Sequence, residues 1–395
     1  MFPPVIIGIY PGLAEMLVTT KTSWHRSILT TSVVTLCNGC IKTYIHVMQA
    51  LTFRGAEIIE YSTVKDPQLI QPSDAVVKIS MASICGSDLH VYHGRETGED
   101  HGTVMGHEFV GVVEEVGANV TRFKKGTKVL SPFTTSCGEC FYCRIGLTCR
   151  CEKGNLFGWM HNGHGLHGAQ AAYIRVPMAD STLLPLSADL SEKKGLLLGD
   201  AFSTGYFSAE NAGINPSGVY AVIGCGPVGL MAILAAKHLG AKTLFAVDLI
   251  DDRLSFAEKF GAIPLNPSLT SVKEQILNVT QGRGADAVME VVGSDKSLTL
   301  AIDLIRPGGT ISSVGVHTEK NFSFSPGEAY DKNLTYKSGR CPARYYAEKL
   351  LREGIPQQYA IEDIITHQFE LAEGTKAYEI FDKKLDKCIK AVLIP

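Results

Sequence analysis

Two short segments hold most of the chemistry this chain can do. Cys85-Gly-Ser87-Asp88-Leu-His90 is answered some twenty residues later by Gly106-His107-Glu108. Together they offer a thiolate, an imidazole, carboxylates and a hydroxyl, which are the groups needed to hold a zinc ion and move a proton away from it. Cys85, His107 and Glu108 are spread so that they meet only in the fold. Whether the metal would be reactive depends on a further ligand and on a redox partner elsewhere in the chain.

A second cluster is more regular. Cys137-x2-Cys140-x2-Cys143-x7-Cys151 places four thiols at intervals that close a tetrahedral zinc site with no open position, a structural site. Cys149 falls outside the pattern. A zinc ribbon that binds nucleic acid is the rival reading. It is disfavoured because only Arg144, Arg150 and Lys153 are cationic nearby and the chain carries a formal net charge of −3. Eleven cysteines in a long chain, five of them between Cys137 and Cys151, point to reduced, metal-binding thiols more than to a disulfide framework.

The redox partner is legible further on. The apolar run Val219-Tyr-Ala-Val-Ile223 leads into Gly224-Cys-Gly226-Pro227-Val228-Gly229, and an apolar helix is expected from Val228 to Leu239. Thr243–Val247 reads as the next strand and ends at Asp248, 19 residues past Gly229. A glycine-rich turn between a strand and a helix, with an acid at that distance, is a dinucleotide-binding fingerprint. Gly224 permits the tight turn, Gly226 the approach of the diphosphate, and Gly229 close helix–strand packing, with the diphosphate on the helix N-terminus. Asp248 can accept hydrogen bonds from the adenosine ribose and would repel a 2′-phosphate, as would Asp251 and Asp252. Arg253 is the one nearby cation that argues otherwise. NAD is therefore expected over NADP.

These motifs must be positioned by two kinds of domain. At 395 residues, with 45% hydrophobic and 19% charged residues, the chain exceeds one hydrophobic core, and its composition is that of a globular α/β protein. Ala50–Phe53, Val76–Ser80, Phe109–Val116 and Lys128–Leu130 read as short strands between Gly- and Pro-rich turns, a compact barrel-like domain. After Ser203, helices over Arg253–Phe260, Val272–Val279 and Ser297–Ile305 alternate with strands over Ala287–Val292 and Thr310–Gly315, the grammar of a doubly wound parallel sheet. The tail from Ile364 returns to mixed signals and allows the first domain to resume. Residues 1–47 are Ser/Thr-rich with Glu15 as their only acid. They read as a disordered or extraneous leader with a natural start at Met48, as a transit peptide, or as a folded element. The pair Cys37 and Cys40 is accidental on that reading. No apolar run approaches a membrane span, and the expected location is the cytoplasm, or an organelle if the leader is a transit peptide.

The motifs C-G-S-D-L-H, G-H-E, the four-cysteine lobe, G-C-G-P-V-G and the tail Ile364-Ile-Thr-His-Gln-Phe together resemble the zinc-dependent medium-chain alcohol dehydrogenase family, over Met48 to Pro395. The resemblance implies a GroES-like β-rich catalytic domain (48–202), a Rossmann domain (203–338) and a C-terminal return to the catalytic domain (339–395). It implies two zinc ions, one catalytic and one structural, and NAD. Cys85 and His107 match catalytic zinc ligands. Asp200, in Gly199-Asp200-Ala-Phe-Ser-Thr-Gly205, stands where many members carry cysteine; some members, resembling bacterial secondary-alcohol dehydrogenases, carry aspartate there, and polyol dehydrogenases glutamate. Glu108 can complete or exchange with the ligand set, and Asp88 matches an acid that orients a metal-binding histidine. Ser87 matches the hydroxyl that meets the substrate oxygen, and His90 the outer end of the proton path. Arg340 falls where members place cleft-facing residues, contacting a polar substrate or the cofactor diphosphate, unless it is a surface arginine. Phe133, Phe157 and Trp159 are either apolar walls of a substrate pocket or packing, and His93, His101, His161, His164 and His167 read as loop residues.

The implied activity is transfer of a hydride from a secondary alcohol or small diol to NAD. A polyol dehydrogenase acting on sorbitol or xylitol is the near alternative. A catalytically silent member of the fold and a zincless quinone reductase are disfavoured by Cys85, His107, Asp200 and His90. A small-molecule alcohol as partner, no nucleic acid, no membrane, and a homodimer or homotetramer joined through the nucleotide domains complete the expectation.

Overall fold

The computed structural model describes residues 44–395 apart from Thr97, together with the segments Glu15–Val18 and Thr31–Thr35. Six strands form a parallel sheet in the order Ile263–Leu265, Thr243–Val247, Val219–Ile223, Ala285–Glu290, Ile305–Ser313, Thr335–Ser338. The first strand in sequence, Val219–Ile223, lies in the middle, and the chain winds outward from it in both directions. Strands covered by helices on both faces need apolar residues throughout, and four of the five residues of Val219–Ile223 are buried. The order reverses between Val219–Ile223 and Ala285–Glu290, which opens a crevice beyond their carboxyl ends, where doubly wound folds bind ligands. Helix Pro227–His238 begins in that crevice with proline at its first turn, where a missing N–H costs nothing.

The other half is a seven-stranded sheet in which Phe109–Val116 pairs antiparallel with both Ala75–Ser83 and Lys128–Ser131. The last strand, Lys390–Ile394, pairs antiparallel with Ala75–Ser83 and parallel with Ile365–Glu370. This register decides the position of the chemistry. Ala82 stands opposite Phe109, so the chain leaving one strand at Ile84-Cys85 and the chain entering the other at His107-Glu108 emerge at the same sheet end. Lys390 is brought to that end as well, because Val392 pairs with Ser83.

Helix Ala201–Ala212 joins the halves. It packs against Pro227–His238, and a Cβ on Gly205 would lie 2.5 Å from the Ala232 nitrogen. Only glycine allows these two helices to approach so closely. One apolar core consequently runs from Val110 and Leu130 of the first half through Phe202 and Tyr206 to Val222 and Leu230 of the second.

Of residues 1–47, the described parts are Glu15–Val18, Thr31–Thr35 and the start of strand Tyr44–Gly55. They form an antiparallel ladder that continues into Ile58–Lys65. The Cys37 and Cys40 pair lies outside the described residues. Among the described residues, no helix is long and apolar enough to cross a membrane.

Candidate metal and cofactor site

Cys85, His107, Glu108 and Asp200 converge, with one potential ligand atom from each lying within 4.8 Å of the others. Asp200 arrives from a different element. It occupies the break between helices Glu192–Gly199 and Ala201–Ala212, with φ −146° and ψ −76°. A carboxylate at a helix start ordinarily caps backbone N–H groups, but this one makes no capping bond. Its Oδ2 lies 3.3 Å from His107 Nε2 and 3.7 Å from Cys85 Sγ. Ser87 Oγ lies 3.3 Å from both Cys85 Sγ and His107 Nε2, beside the ligand atoms.

The supporting groups fix orientation. Asp88 Oδ1 sits 3.2 Å from His107 Nδ1. Its Oδ2 accepts from the Cys85 amide at 2.8 Å and from Gln170 Nε2 at 3.4 Å, and Tyr378 donates to Gln170 at 2.9 Å. An acid on one ring nitrogen leaves the other aimed at the cluster, the usual arrangement of a metal-binding imidazole. Burial alone would lower the His107 pKa, but Asp88 and Asp200 outweigh it and hold it well above its ordinary value. Burial, with Glu108 and Asp200 nearby, pushes the Cys85 thiol up.

Lys390 escapes sequence reasoning entirely. It is 1% exposed, and its ammonium donates to Glu108 Oε2 and, at 3.0 Å, to the Ile84 carbonyl. Ser83 also donates to Glu108 Oε2. Glu108 Oε1, by contrast, is buried with no hydrogen-bond partner among the described residues. An orphaned carboxylate oxygen beside a thiol, an imidazole and a second carboxylate is the fit expected of a divalent cation site. Lys390 and the His107 imidazole face three buried acids, Asp88, Glu108 and Asp200, so the cations fall short of the acids and a dication suits the buried charge balance.

The four lobe cysteines, Cys137, Cys140, Cys143 and Cys151, form the second cluster. Backbone amides of Cys137 and Cys140 point at the sulfurs of Cys151 and Cys137, at 3.2 and 3.4 Å. Cys149 stands apart, its thiol directed at the Arg340 carbonyl at 3.2 Å.

In the nucleotide half, the three glycines have separate reasons. Gly224 has φ +94°, and a Cβ on Gly229 would lie 1.8 Å from the Gly224 carbonyl oxygen. Gly226 is different, since its nearest neighbour would be Arg253 Nη1 at 3.7 Å. Its open side is a cradle that a side chain would fill, beside Pro227 and the half-buried Val228 at the helix start. Asp248 accepts from the amides of Cys225 at 2.7 Å and Ile250 at 3.0 Å, and lies 3.8 Å from Arg253 Nη1. It therefore braces the glycine loop as well as lying at the strand end.

Other candidates separate from the cluster or take new roles. His90 is half-buried with Nδ1 unpartnered among the described residues, and burial lowers its pKa. Arg340 is exposed, in the segment between Thr335–Ser338 and helix Ala343–Arg352. Phe133 lies edge-on to His107 with ring centroids 6.2 Å apart, whereas Phe157 packs edge-on against Phe109 in the core. Trp159 is half-buried against the core beneath the first strands. His93 bonds Asp382 at 2.8 Å, His167 accepts from the Val104 amide at 3.2 Å, and His101 lies edge-on to Phe53. His161 bonds the Gly98 carbonyl, and His164 stands opposite His161 where strands Trp159–His161 and His164–Leu166 pair antiparallel. Glu99, which carries no signal in the sequence beyond lying in an acidic loop, is 8% exposed. Its pKa is raised to about 8, by burial first and then by Asp88, Glu96 and Asp100.

Comparison with known proteins agrees with this arrangement. Residues 71–187 match the alcohol dehydrogenase GroES-like domain, and residues 227–353 the zinc-binding dehydrogenase domain. The chain belongs to the zinc-type alcohol dehydrogenase family of medium-chain dehydrogenases. It is 42% identical over 351 residues to zinc-type alcohol dehydrogenase B of Aspergillus flavus, covering 87% of this chain and 81% of that one. It is 34% identical to an L-threonine 3-dehydrogenase of Caldanaerobacter subterraneus, covering 86% and 96%. Among solved structures, alcohol dehydrogenase TADH from Thermus sp. ATN1 superposes with a TM-score of 0.82 at 38% identity, covering 88% of this chain and 99% of that one.

Proposed function

We propose that this protein oxidises a secondary alcohol or small diol, using a catalytic zinc ion held by Cys85, His107 and Asp200 and NAD held on the Gly224–Gly229 loop. The observation that carries the proposal is the meeting of Asp200 Oδ2 with Cys85 and His107 in a buried cluster beside Ser87. The relative named for L-threonine acts on a secondary hydroxyl, which supports the same substrate class here.

When bound, zinc supplies Lewis acidity toward the alcohol oxygen, and NAD supplies the hydride acceptor. The protein's own groups do the rest. Glu108 Oε1 and the Asp200 carboxylate keep the cluster anionic, and Asp88 keeps His107 Nε2 aimed inward. Ser87 Oγ accepts the hydroxyl proton of the substrate as it gives up its own, acting as a relay and not as a base. His90, one helical turn further along the same segment, passes it to solvent. Phe133 presents an apolar wall beside His107 that keeps water from that side. Asp248, with Asp251 and Asp252 beyond it, supports NAD over NADP.

A panel of 2-butanol, 2,3-butanediol, L-threonine, sorbitol and ethanol, each with NAD and with NADP, tests the reading by formation of reduced nicotinamide. Secondary alcohols with NAD should turn over fastest. Cys85→Ala should abolish turnover while NADH still binds. Full activity in a metal-free preparation would end the proposal. The expected assembly is a homodimer or homotetramer through the nucleotide halves. Support comes from the edge strand Thr335–Ser338 and, near it, Phe322 and Tyr330, 63% and 82% exposed. A monomeric mass by light scattering would refute it.

A further inference from the structure

We infer that Thr204 is a positioning residue for the catalytic metal site, and that it makes Asp200 a one-oxygen ligand. The inference rests on the reading of Asp200 as a zinc ligand.

The two oxygens of Asp200 face different surroundings. Oδ1 accepts a hydrogen bond from Thr204 Oγ1 at 2.9 Å, inside the protein. Oδ2 is the oxygen that faces His107 Nε2 and Cys85 Sγ. Thr204 cannot easily turn away. Its amide donates to the Asp200 carbonyl at 2.8 Å as the first helical bond of Ala201–Ala212, and the residue is 8% exposed. Hydroxyl and carboxylate thus lie on one face of the helix, four residues apart. The next residue, Gly205, lies on the adjacent side of the helix and holds the element close against helix Pro227–His238.

The chemistry of a carboxylate makes this restraint consequential. Aspartate can offer a metal one oxygen or two, and it can also swing back to cap a helix N-terminus. The three-ligand-plus-open arrangement of a catalytic zinc site needs the first of these. A cysteine ligand has one donor atom and needs no such control. With aspartate in that place the control must come from a neighbour, and the Thr204 hydroxyl is the side-chain donor on Oδ1.

The test compares Thr204→Val, which keeps the shape and removes the hydroxyl, with Thr204→Ser, which keeps the hydroxyl and removes the methyl. Zinc affinity is measured by chelator competition, with the four-cysteine site as internal reference, alongside the absorption spectrum of protein carrying cobalt at the catalytic site. Residues that orient metal ligands typically contribute about 10–100-fold in affinity. Thr204→Val should lose that factor at the catalytic site alone, and its cobalt spectrum should shift toward higher coordination. Thr204→Ser should stay close to wild type in both. Wild-type affinity and spectrum in Thr204→Val would overturn the inference, and so would equal losses in the two variants, which would indicate packing. Retention of the structural zinc in both variants separates these outcomes from misfolding. If Asp200→Ala leaves the catalytic-site affinity unchanged, the reading of Asp200 as a ligand fails first.

Discussion

Replacing Lys390 with methionine should be severely damaging, although Lys390 is neither one of the four clustered donors nor part of the glycine loop. The ammonium and the Glu108 carboxylate are each 1% exposed, so neither has water to fall back on. Burial alone would lower the Lys390 pKa, but Glu108 outweighs it and holds the ammonium charged. Methionine preserves length and apolar volume while deleting the charge. Glu108 would then keep Ser83 as its donor on Oε2, with Oε1 already unpartnered, and the Ile84 carbonyl would lose its Lys390 bond. Breaking a buried ion pair by removing one partner costs about 3–5 kcal/mol, whereas replacing both partners with neutral groups is often close to neutral. Urea unfolding, followed by fluorescence and circular dichroism at fixed zinc, measures the effect, provided the two probes give one transition. Lys390→Met should lower the unfolding free energy by about 3–5 kcal/mol, and the double variant Lys390→Met/Glu108→Gln should regain most of it. Raising zinc should help the single variant more than wild type, because a dication offers the stranded carboxylate a new counter-charge. A loss below about 1 kcal/mol in Lys390→Met, or a double variant as unstable as the single one, would refute the reasoning.

Two further outcomes follow from the nucleotide half. Gly229→Ala must clash with the Gly224 carbonyl and should destabilise the cofactor-free protein by about 1–3 kcal/mol. Gly226→Ala meets only the Arg253 guanidinium, at an ordinary contact distance of 3.7 Å, so it should leave cofactor-free stability unchanged while weakening NADH binding, measured by fluorescence titration. The Glu290–His317 pair, 3.0 Å apart, predicts a pH effect. The bond to Glu290 raises the His317 pKa above its ordinary 6.5. Its stabilising contribution is therefore complete below about pH 6.5 and lost as pH rises through the higher folded-state value. Burial pushes Glu290 up, but His317, the Gly293 amide and Ser313 outweigh it and lower its pKa, so its contribution is lost as pH falls in the acid range. His317→Gln should flatten the decline of thermal stability above neutrality; a decline identical to wild type would show that the pair does not contribute.

The elements legible in the sequence are those whose chemistry is local. The four lobe cysteines fall within one 15-residue span, and the glycine loop is bracketed by its own strand and helix. Spacing alone restricted what they can build. Strand and helix positions in the nucleotide half followed from apolar runs, with shifts at the ends: the strand expected at Thr310 begins at Ile305, and the one expected over Ala287–Val292 spans Ala285–Glu290. Their termini depend on neighbouring strands that a local pattern does not contain.

The reactive cluster belongs to the other kind. Cys85 and His107 could be nominated from their motifs, but only the antiparallel register of Ala75–Ser83 and Phe109–Val116 places them at one sheet end. Asp200, 115 residues from Cys85, reaches them because a helix breaks there. Lys390 is 282 residues from Glu108, and nothing in its own neighbourhood marks it as buried. The sequence alone determined the donor types, the spacing of the four-cysteine lobe and the glycine-rich turn between strand and helix. The tertiary structure alone decided which donors share a buried site, because burial and charge pairing arise from contacts between strands and helices distant in the chain.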